Sequence, residues 1–230
     1  MAKRPVYVAN KDGKLSVIEK QVEFKWYPGM ATSQKQKSIE SLHVAAKSEG
    51  VKRVLEISSK SESELGIALS AFNLMITTKQ KRQTFSVECA FQASKVFERG
   101  GPYMDLLHES SRIAKKDLRL RDSGNLINFV FFGKAFAPKP RTLFYDWLYT
   151  NALRQNESLA DEVLRYDGFT DIEFNPTKSI NCQAFSAALF VTLSFSSLLN
   201  DALESPEAFA DVVSPIYGHR HSIEVQGNLV

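Results

Sequence analysis

The chain has little cysteine and little histidine, with two cysteines and four histidines among its 230 residues. It contains no CxxC pair and no second group of cysteines, so the ligand spacing of a structural zinc site is missing. Cys89 and Cys182 each lie in an apolar helical pattern, where a thiol usually behaves as a small buried hydrophobic group. We therefore expect no disulfide framework and no bound metal.

Glycine-rich phosphate motifs and strong charge of either sign are also missing. Neither GxxxxGK[ST] nor GxGxxG occurs in the chain, which disfavours NTP hydrolysis and dinucleotide redox chemistry, and we expect no cofactor. A net charge of +3 with 24% charged residues excludes a polyanion-binding tail and an acidic disordered segment. A local basic patch from Lys79 to Arg82 leaves nucleic-acid or partner binding open, as the weakest interpretation.

Long hydrophobic runs are scarce. The N-terminal sequence lacks the apolar segment of a secretory signal, so we expect a cytoplasmic protein. One uncharged run, from Ser179 to Asn200, approaches the length of about 20 residues that spans a bilayer. Because the run carries many hydroxyl and amide side chains, we predict a central helix buried on all sides and no membrane span.

Hydrophobic periodicity and turn residues predict a mixed α+β fold. Pro5–Asn10 and Leu15–Lys25 read as two strands around a turn at Gly13. A helix is predicted to begin with Ser33 as its N-cap and to end at Gly50. Most of the remaining chain favours helices, so we expect one mostly helical α+β domain with a small N-terminal β element.

The segment SVECAFQASKVF, from Ser86 to Phe97, carries the most informative spacing in the chain. Read as a helix, it places Glu88, Gln92 and Lys95 four and then three residues apart, on one side. A carboxylate, an amide and an amine in a row can form the floor of a polar pocket. The alternative is an ordinary amphipathic helix whose polar edge is solvated.

Four blocks of the chain resemble, in the same order, the NADAR superfamily, which handles ADP-ribose and related N-glycosides. They are LSAFN at Leu69–Asn73, VECAFQASKVF at Val87–Phe97, FYDWLYTNALRQNESLADEVL at Phe144–Leu164 and FTDIEFNPTKSINCQA at Phe169–Ala184. The resemblance implies a single domain, 1–230, with a NADAR-like core at 56–205. An N-terminal hairpin and helix, 1–55, would precede this core, and a C-terminal tail, 206–230, would follow it.

Individual residues carry this resemblance. The positions that match the family pattern are Phe72, Asn73, Glu88, Phe91, Gln92, Ala93, Lys95, Asp171 and Asn181. Cys89 stands where the family usually has a histidine, and the Trp-Gly pair that normally follows the acidic loop residue is missing.

The resemblance implies an N-glycosidase-type hydrolase that acts on an ADP-ribosylated base or a related phosphoribosyl N-glycoside. Positive charge builds on the sugar as such a bond breaks, so Glu88 is expected to act as general base or electrostatic partner. Lys95, if desolvated by the apolar residues around it, would be a Schiff-base nucleophile. The alternative for Lys95 is a surface amine that extends past Phe91.

Further residues are expected to bind the substrate. Asn73, Gln92, Asp171 and Asn181 would hold the sugar and phosphates, although Asp171 and Asn181 also suit a turn and a helix N-cap. Phe72, Phe91 and Trp147 would stack on the base, although aromatic residues at helical spacing are more often plain core.

The expected partner is an ADP-ribose-like or phosphoribosyl ligand. ADP-ribosylated nucleic acid, which carries such a group on a base, is a further candidate. A noncatalytic ADP-ribose or nucleotide sensor in a stress or phage-defence system is the alternative function. The sequence leaves the oligomeric state open.

Overall fold

The computed structural model describes residues 1–78, 82–140, 142–175 and 181–227. Lys79 and Lys81 of the basic patch lie outside the described residues. The described part of the chain mixes helices and strands, so the predicted α+β class is confirmed. The division into a core and two extensions stays a prediction.

The strands form three small sheets. They are β1 (Ala2–Ala9), β2 (Val17–Phe24), β3 (Val54–Glu56), β4 (Met75–Thr77), β5 (Thr84–Ser86), β6 (Lys95–Phe97), β7 (Leu126–Phe131), β8 (Lys134–Phe136) and β9 (Gly168–Thr170). The largest sheet has the order β2-β1-β9-β3, while β4 pairs with β5 and the third sheet has the order β6-β7-β8.

The predicted N-terminal hairpin is present. β1 and β2 are antiparallel, with Ala9 opposite Val17, and Gly13 in the connecting turn has a φ of 79°. That positive φ suits glycine, because it has no Cβ to clash with the backbone. β3 runs parallel to β9, so the chain leaves both strands at the same edge of the sheet.

The helices contribute many of the buried residues of the hydrophobic core. They are α1 (Thr32–Ser48), α2 (Glu64–Ala68), α3 (Val87–Ala93), α4 (Ser111–Lys116), α5 (Arg119–Asp122), α6 (Leu143–Gln155), α7 (Glu157–Val163), α8 (Gln183–Phe195), α9 (Leu199–Ala202) and α10 (Pro206–Gly227). A short 3-10 helix lies at Met104–His108.

Helix α8 is the buried helix that the uncharged run predicts. Every residue from Ala184 to Leu193 is buried, hydroxyl-bearing residues included. Those hydroxyls have partners: Ser186 donates to Asp146 at 2.5 Å, and the Thr192 oxygen accepts from the Asn10 N–H at 3.1 Å. Within the described ranges, no helix has the length and apolar character needed to cross a membrane.

Two helix boundaries differ from the predicted ones. Ala31 is the N-cap of α1 and Ser33 lies inside its first turn, while Gly50, with a φ of 91°, does follow the helix end. The helix predicted over Ser86–Phe97 ends at Ala93. Lys95 instead begins β6 and pairs with Phe129, because β7 offers this segment a backbone partner that the sequence pattern does not reveal.

Candidate functional site

A cavity of about 660 Å³ opens beside α3, where the ends of β3 and β9 approach the loop between α2 and β4. Aromatic, charged, hydroxyl and amide side chains share its wall. The lining residues are Ser58, Ser59, Ser70, Ala71, Phe72, Glu88, Phe91, Gln92, Lys95, Lys115, Tyr145, Asp171, Glu173, Phe174, Asn175, Asn181 and Gln183.

Helix α3 presents a fixed carboxylate and amide to this cavity. Glu88 and Gln92 are only 5% and 6% exposed, and the Gln92 Nε2 donates a hydrogen bond of 2.8 Å to a Glu88 carboxylate oxygen. The Ser86 hydroxyl caps the helix by accepting from the Cys89 N–H at 3.1 Å. The N–H of Glu88 donates to the Ala71 carbonyl at 2.9 Å. The neighbouring loop therefore holds the Glu88 backbone, while Gln92 of the same helix holds the Glu88 carboxylate.

Lys95 lines the same cavity although it lies beyond the helix. Its ammonium group is 4.7 Å from the centre of the Phe91 ring, a cation–π contact. Burial, reinforced by the positive charge of Lys115 and opposed by the charge of Glu88, lowers the pKa of Lys95 to about 8. About a tenth of the Lys95 side chains are then neutral amines at pH 7, far more than for a solvated lysine.

Gln183, the first residue of α8, ties together the segments that form the opposite part of the lining. Its Nε2 donates to the Ile57 carbonyl at 2.6 Å, and its Oε1 accepts from the Ala71 N–H at 2.8 Å. A hydrogen bond also joins Gln183 to the Asp171 carboxylate. One amide thus links the end of β3, the α2–β4 loop and the loop after β9.

Asp171 serves the local turn and lines the cavity as well. Its Oδ1 accepts from the N–H groups of Glu173 and Phe174, at 3.0 and 3.1 Å. Burial, together with the negative charge of the nearby Glu56, raises the pKa of Asp171.

Glu56 lies behind the lining, where its carboxylate accepts from the Thr170 hydroxyl at 2.6 Å and the Ile172 N–H at 2.8 Å. Burial raises the pKa of Glu56 too.

The structure brings together most, but not all, of the residues that the sequence singles out. Those that line the cavity are Phe72, Glu88, Phe91, Gln92, Lys95, Asp171 and Asn181. Asn73 and Trp147 are not among the lining residues. The Asn73 side-chain amide instead donates to the Ile67 carbonyl at 2.9 Å, and the Trp147 ring packs against Phe136 at 4.9 Å between ring centres.

Several lining residues were not among the predicted site residues. Lys115, Tyr145, Glu173, Asn175 and Gln183 join the cavity from elements that local spacing does not connect with α3. Burial, and then the charge of Glu88, raises the pKa of Tyr145 well above its usual value, so this phenol keeps its proton and remains a donor. The one sequence signal for Gln183 is an amide side chain at the start of an uncharged helix.

Cys89, which stands where the NADAR pattern usually has a histidine, is not part of the cavity lining. It is 1% exposed, and its thiol donates to the Glu109 carbonyl with an Sγ–O distance of 3.1 Å. The substitution therefore changes the packing between α3 and the chain before α4, not the chemical groups of the cavity.

Acidic, histidine and cysteine side chains of the described residues form no group of three or more that could hold a metal ion. The polar groups of the cavity are instead amides, hydroxyls, carboxylates and lysines, a set that can accept from and donate to a sugar phosphate.

Comparison with known protein families gives one match that spans nearly all of the chain. The model of the family described as the DarT1-associated NADAR antitoxin matches residues 2–222. The match begins within β1 and extends into α10, so it includes the N-terminal hairpin as well as the cavity. No curated protein shows a significant match to the chain.

Proposed function

The chain belongs to the DarT1-associated NADAR antitoxin family, and we propose that it is an N-glycosidase that removes an ADP-ribosyl or related phosphoribosyl group from a base. The observation that carries this proposal is the shared cavity of Glu88 and Lys95, in which the pKa of Lys95 is lowered to about 8. A carboxylate and a partly neutral amine are the two groups that cleavage of such a bond through an imine would use.

Glu88 would act on the charge that develops at the sugar. As the bond between the ribose C1 and the base nitrogen weakens, C1 becomes positive, and a nearby carboxylate stabilises that charge. The hydrogen bond from Gln92 holds one carboxylate oxygen in place, so the carboxylate need not reorient during the reaction. Glu88 would later accept the proton that the attacking water loses.

Lys95 would form the covalent intermediate. Its neutral amine attacks C1, and the electron pair of the breaking C1–N bond leaves with the base, whose nitrogen takes up a proton. The lysine nitrogen then forms a C=N bond to C1 while the ring oxygen leaves C1 and is protonated. Water adds to this imine carbon, and the free amine and the ribose aldehyde are released.

The remaining lining residues would bind the substrate. The Gln92 Oε1 is buried and accepts no hydrogen bond from the described residues, so a ribose hydroxyl would supply the donor that it lacks. Phe72 and Phe91 present aromatic rings for a base, and Asp171 and Asn181 present polar atoms for the sugar and phosphates. The volume of about 660 Å³ lies in the range of small-molecule sites.

The antitoxin role implied by the family description suits this chemistry. An enzyme that detaches ADP-ribose from a base would reverse the modification made by an ADP-ribosylating toxin and restore the unmodified base. We propose that this chain protects its host in that way.

The test is base release from guanosine- and thymidine-ADP-ribosylated DNA and from the phosphoribosyl-aminopyrimidine intermediates of riboflavin synthesis. Wild-type protein should release base from at least one of them, and Glu88→Gln and Lys95→Ala should each lose at least a hundredfold in rate. Glu88→Gln keeps an acceptor for Gln92, so loss of fold is not expected to explain its effect.

Two outcomes would count against the proposal. If both variants release base as fast as the wild type, the assigned mechanism is wrong. If the wild type binds ADP-ribose tightly but cleaves none of these substrates, the protein is a sensor of ADP-ribose and not an N-glycosidase.

A further inference from the structure

Lys115 is a second lysine of the cavity, contributed by α4 and not matched by any motif in the sequence. Its ammonium group lies 5.1 Å from the centre of the Phe72 ring. Its side chain is exposed, whereas Lys95 is partly buried, so Lys115 lies nearer to solvent.

The position of Lys115 is fixed through the start of α4. The Ser110 hydroxyl caps this helix by accepting from the Ile113 N–H at 3.3 Å. The Ser111 hydroxyl donates to the Phe72 carbonyl at 2.9 Å and lies 2.7 Å from the Ser86 hydroxyl, next to α3. α4 is therefore attached both to the loop that carries Phe72 and to the helix that carries Glu88.

The charge of Lys115 is not neutralised within the described chain. No carboxylate of the described residues forms an ion pair with it, and the Phe72 ring offers only the weak attraction of its π face. α4 carries three cations, Arg112, Lys115 and Lys116, and no acidic residue. These cations concentrate positive charge on α4, and such charge attracts anions.

The carboxylates of the cavity are occupied elsewhere. Glu88 accepts from Gln92, Asp171 accepts from two backbone N–H groups, and Glu173 pairs with Lys35 at 3.2 Å. The counter-ion of Lys115 must therefore come from a ligand or from the solvent.

We propose that Lys115 binds a phosphate group of the substrate and so makes the site specific for phosphorylated ribosyl compounds. This inference rests on the proposed function and names a recognition element for it. An ammonium group forms short, strong hydrogen bonds to phosphate oxygens, and the ring of Phe72 restricts where the flexible side chain can hold it. A phosphate bound there would also reduce the repulsion between Lys115 and Lys95.

The test is calorimetric titration of the full chain with ADP-ribose. Lys115→Ala should weaken binding about tenfold, Lys115→Arg should stay within about threefold of the wild type, and Lys116→Ala should have no effect. Lys116 is the matched control, because it is the next residue of the same helix, is exposed and does not line the cavity. Inorganic diphosphate should compete with ADP-ribose on the wild type and compete less on Lys115→Ala.

The outcomes separate this inference from the proposed function. If the wild type binds ADP-ribose and Lys115→Ala binds it equally well, the phosphate assignment is overturned and the proposed function stands. If the wild type does not bind ADP-ribose at all, the phosphate assignment is overturned, whereas the proposed function is decided by the base-release assay. An equal loss in Lys115→Ala and Lys116→Ala would mean a general effect of charge and would also overturn the assignment.

Discussion

At the level of single residues, the surroundings of Lys95 decide what its amine can do. The ammonium group packs over Phe91, and burial outweighs the favourable charge of Glu88, so the pKa falls to about 8. A lysine in water keeps its proton up to a pH of about 10.4 and is a poor nucleophile at neutral pH. The burial of Lys95 therefore supplies the activation that a general base supplies in other enzymes.

This lowered pKa predicts how the rate of base release depends on pH. Because the protonated amine cannot attack, the single-turnover rate should rise about tenfold per pH unit below 8 and level off above it. The measurement is the rate from pH 6 to pH 9.5, with the fold monitored by circular dichroism. A rate that is constant over this range, or that falls as the pH rises towards 8, would contradict the role of a neutral Lys95.

Cys89 offers a second prediction at the residue scale. Because the thiol is buried against the Glu109 carbonyl and does not line the cavity, Cys89→Ser should keep the donor and retain the rate of base release. Cys89→His should overfill the site and lower the free energy of unfolding by about 1–3 kcal/mol, without raising the rate. Urea unfolding and base release together check this prediction. A faster Cys89→His enzyme would show that the residue at this position takes part in the reaction.

At the level of elements, local patterns predict the hairpin and the buried α8 but not where α3 ends. Alternating hydrophobic residues and Gly13 specify the hairpin without reference to the rest of the chain. Lys95 fits the helical pattern, yet the Ser94 hydroxyl bonds to the Ala90 carbonyl and the next residue joins a sheet with β7. Pairing with a distant strand overrides local helical spacing, which single-sequence patterns cannot anticipate.

The link made by Gln183 predicts a coupled loss of stability and binding. Gln183→Leu would leave the Ile57 carbonyl and the Ala71 N–H without this partner and should lower the free energy of unfolding by about 1–3 kcal/mol. It should also weaken ADP-ribose binding, because three lining segments lose their common anchor.

Gln21→Leu is the control for this change, since Gln21 is exposed on β2, and it should alter stability by less than about 0.5 kcal/mol. Unfolding in urea and calorimetry give the two readouts. Unchanged ADP-ribose binding in Gln183→Leu would show that Gln183 does not organise the site.

At the scale of the whole molecule, the site depends on contacts between segments far apart in the sequence. The parallel pairing of β3 with β9 places Glu56 beside Thr170 and brings Ser58 and Ser59 to the same cavity as Asp171. The motif around Glu88 could be found from the sequence, because its residues are near neighbours. Lys115, Tyr145 and Gln183 could not, because only the tertiary fold sets their distance from α3.

The C-terminal helix α10 is attached to α6 through a buried carboxylate. Asp146 of α6, which is fully buried, accepts hydrogen bonds from the Ser186 hydroxyl at 2.5 Å and the Tyr217 hydroxyl at 2.6 Å. These bonds join α6, α8 and α10 away from the lining of the cavity.

We therefore predict that Tyr217→Phe lowers the free energy of unfolding by about 1–3 kcal/mol, because a buried carboxylate loses a donor. The rate of base release at 25 °C should stay within about twofold of the wild type. Urea unfolding and a single-turnover assay provide the comparison. A large loss of rate in protein that remains folded would show that α10 contributes to the chemistry.

The most direct measurement is borohydride trapping of the wild-type protein during turnover, followed by peptide mass mapping. A transient imine between Lys95 and the ribose would be reduced to a stable amine, so the ribosyl mass should appear on Lys95 and not on Lys115. Lys95→Ala should carry no such adduct. Active protein that acquires no adduct, or that acquires the same adduct in Lys95→Ala, would contradict the covalent mechanism.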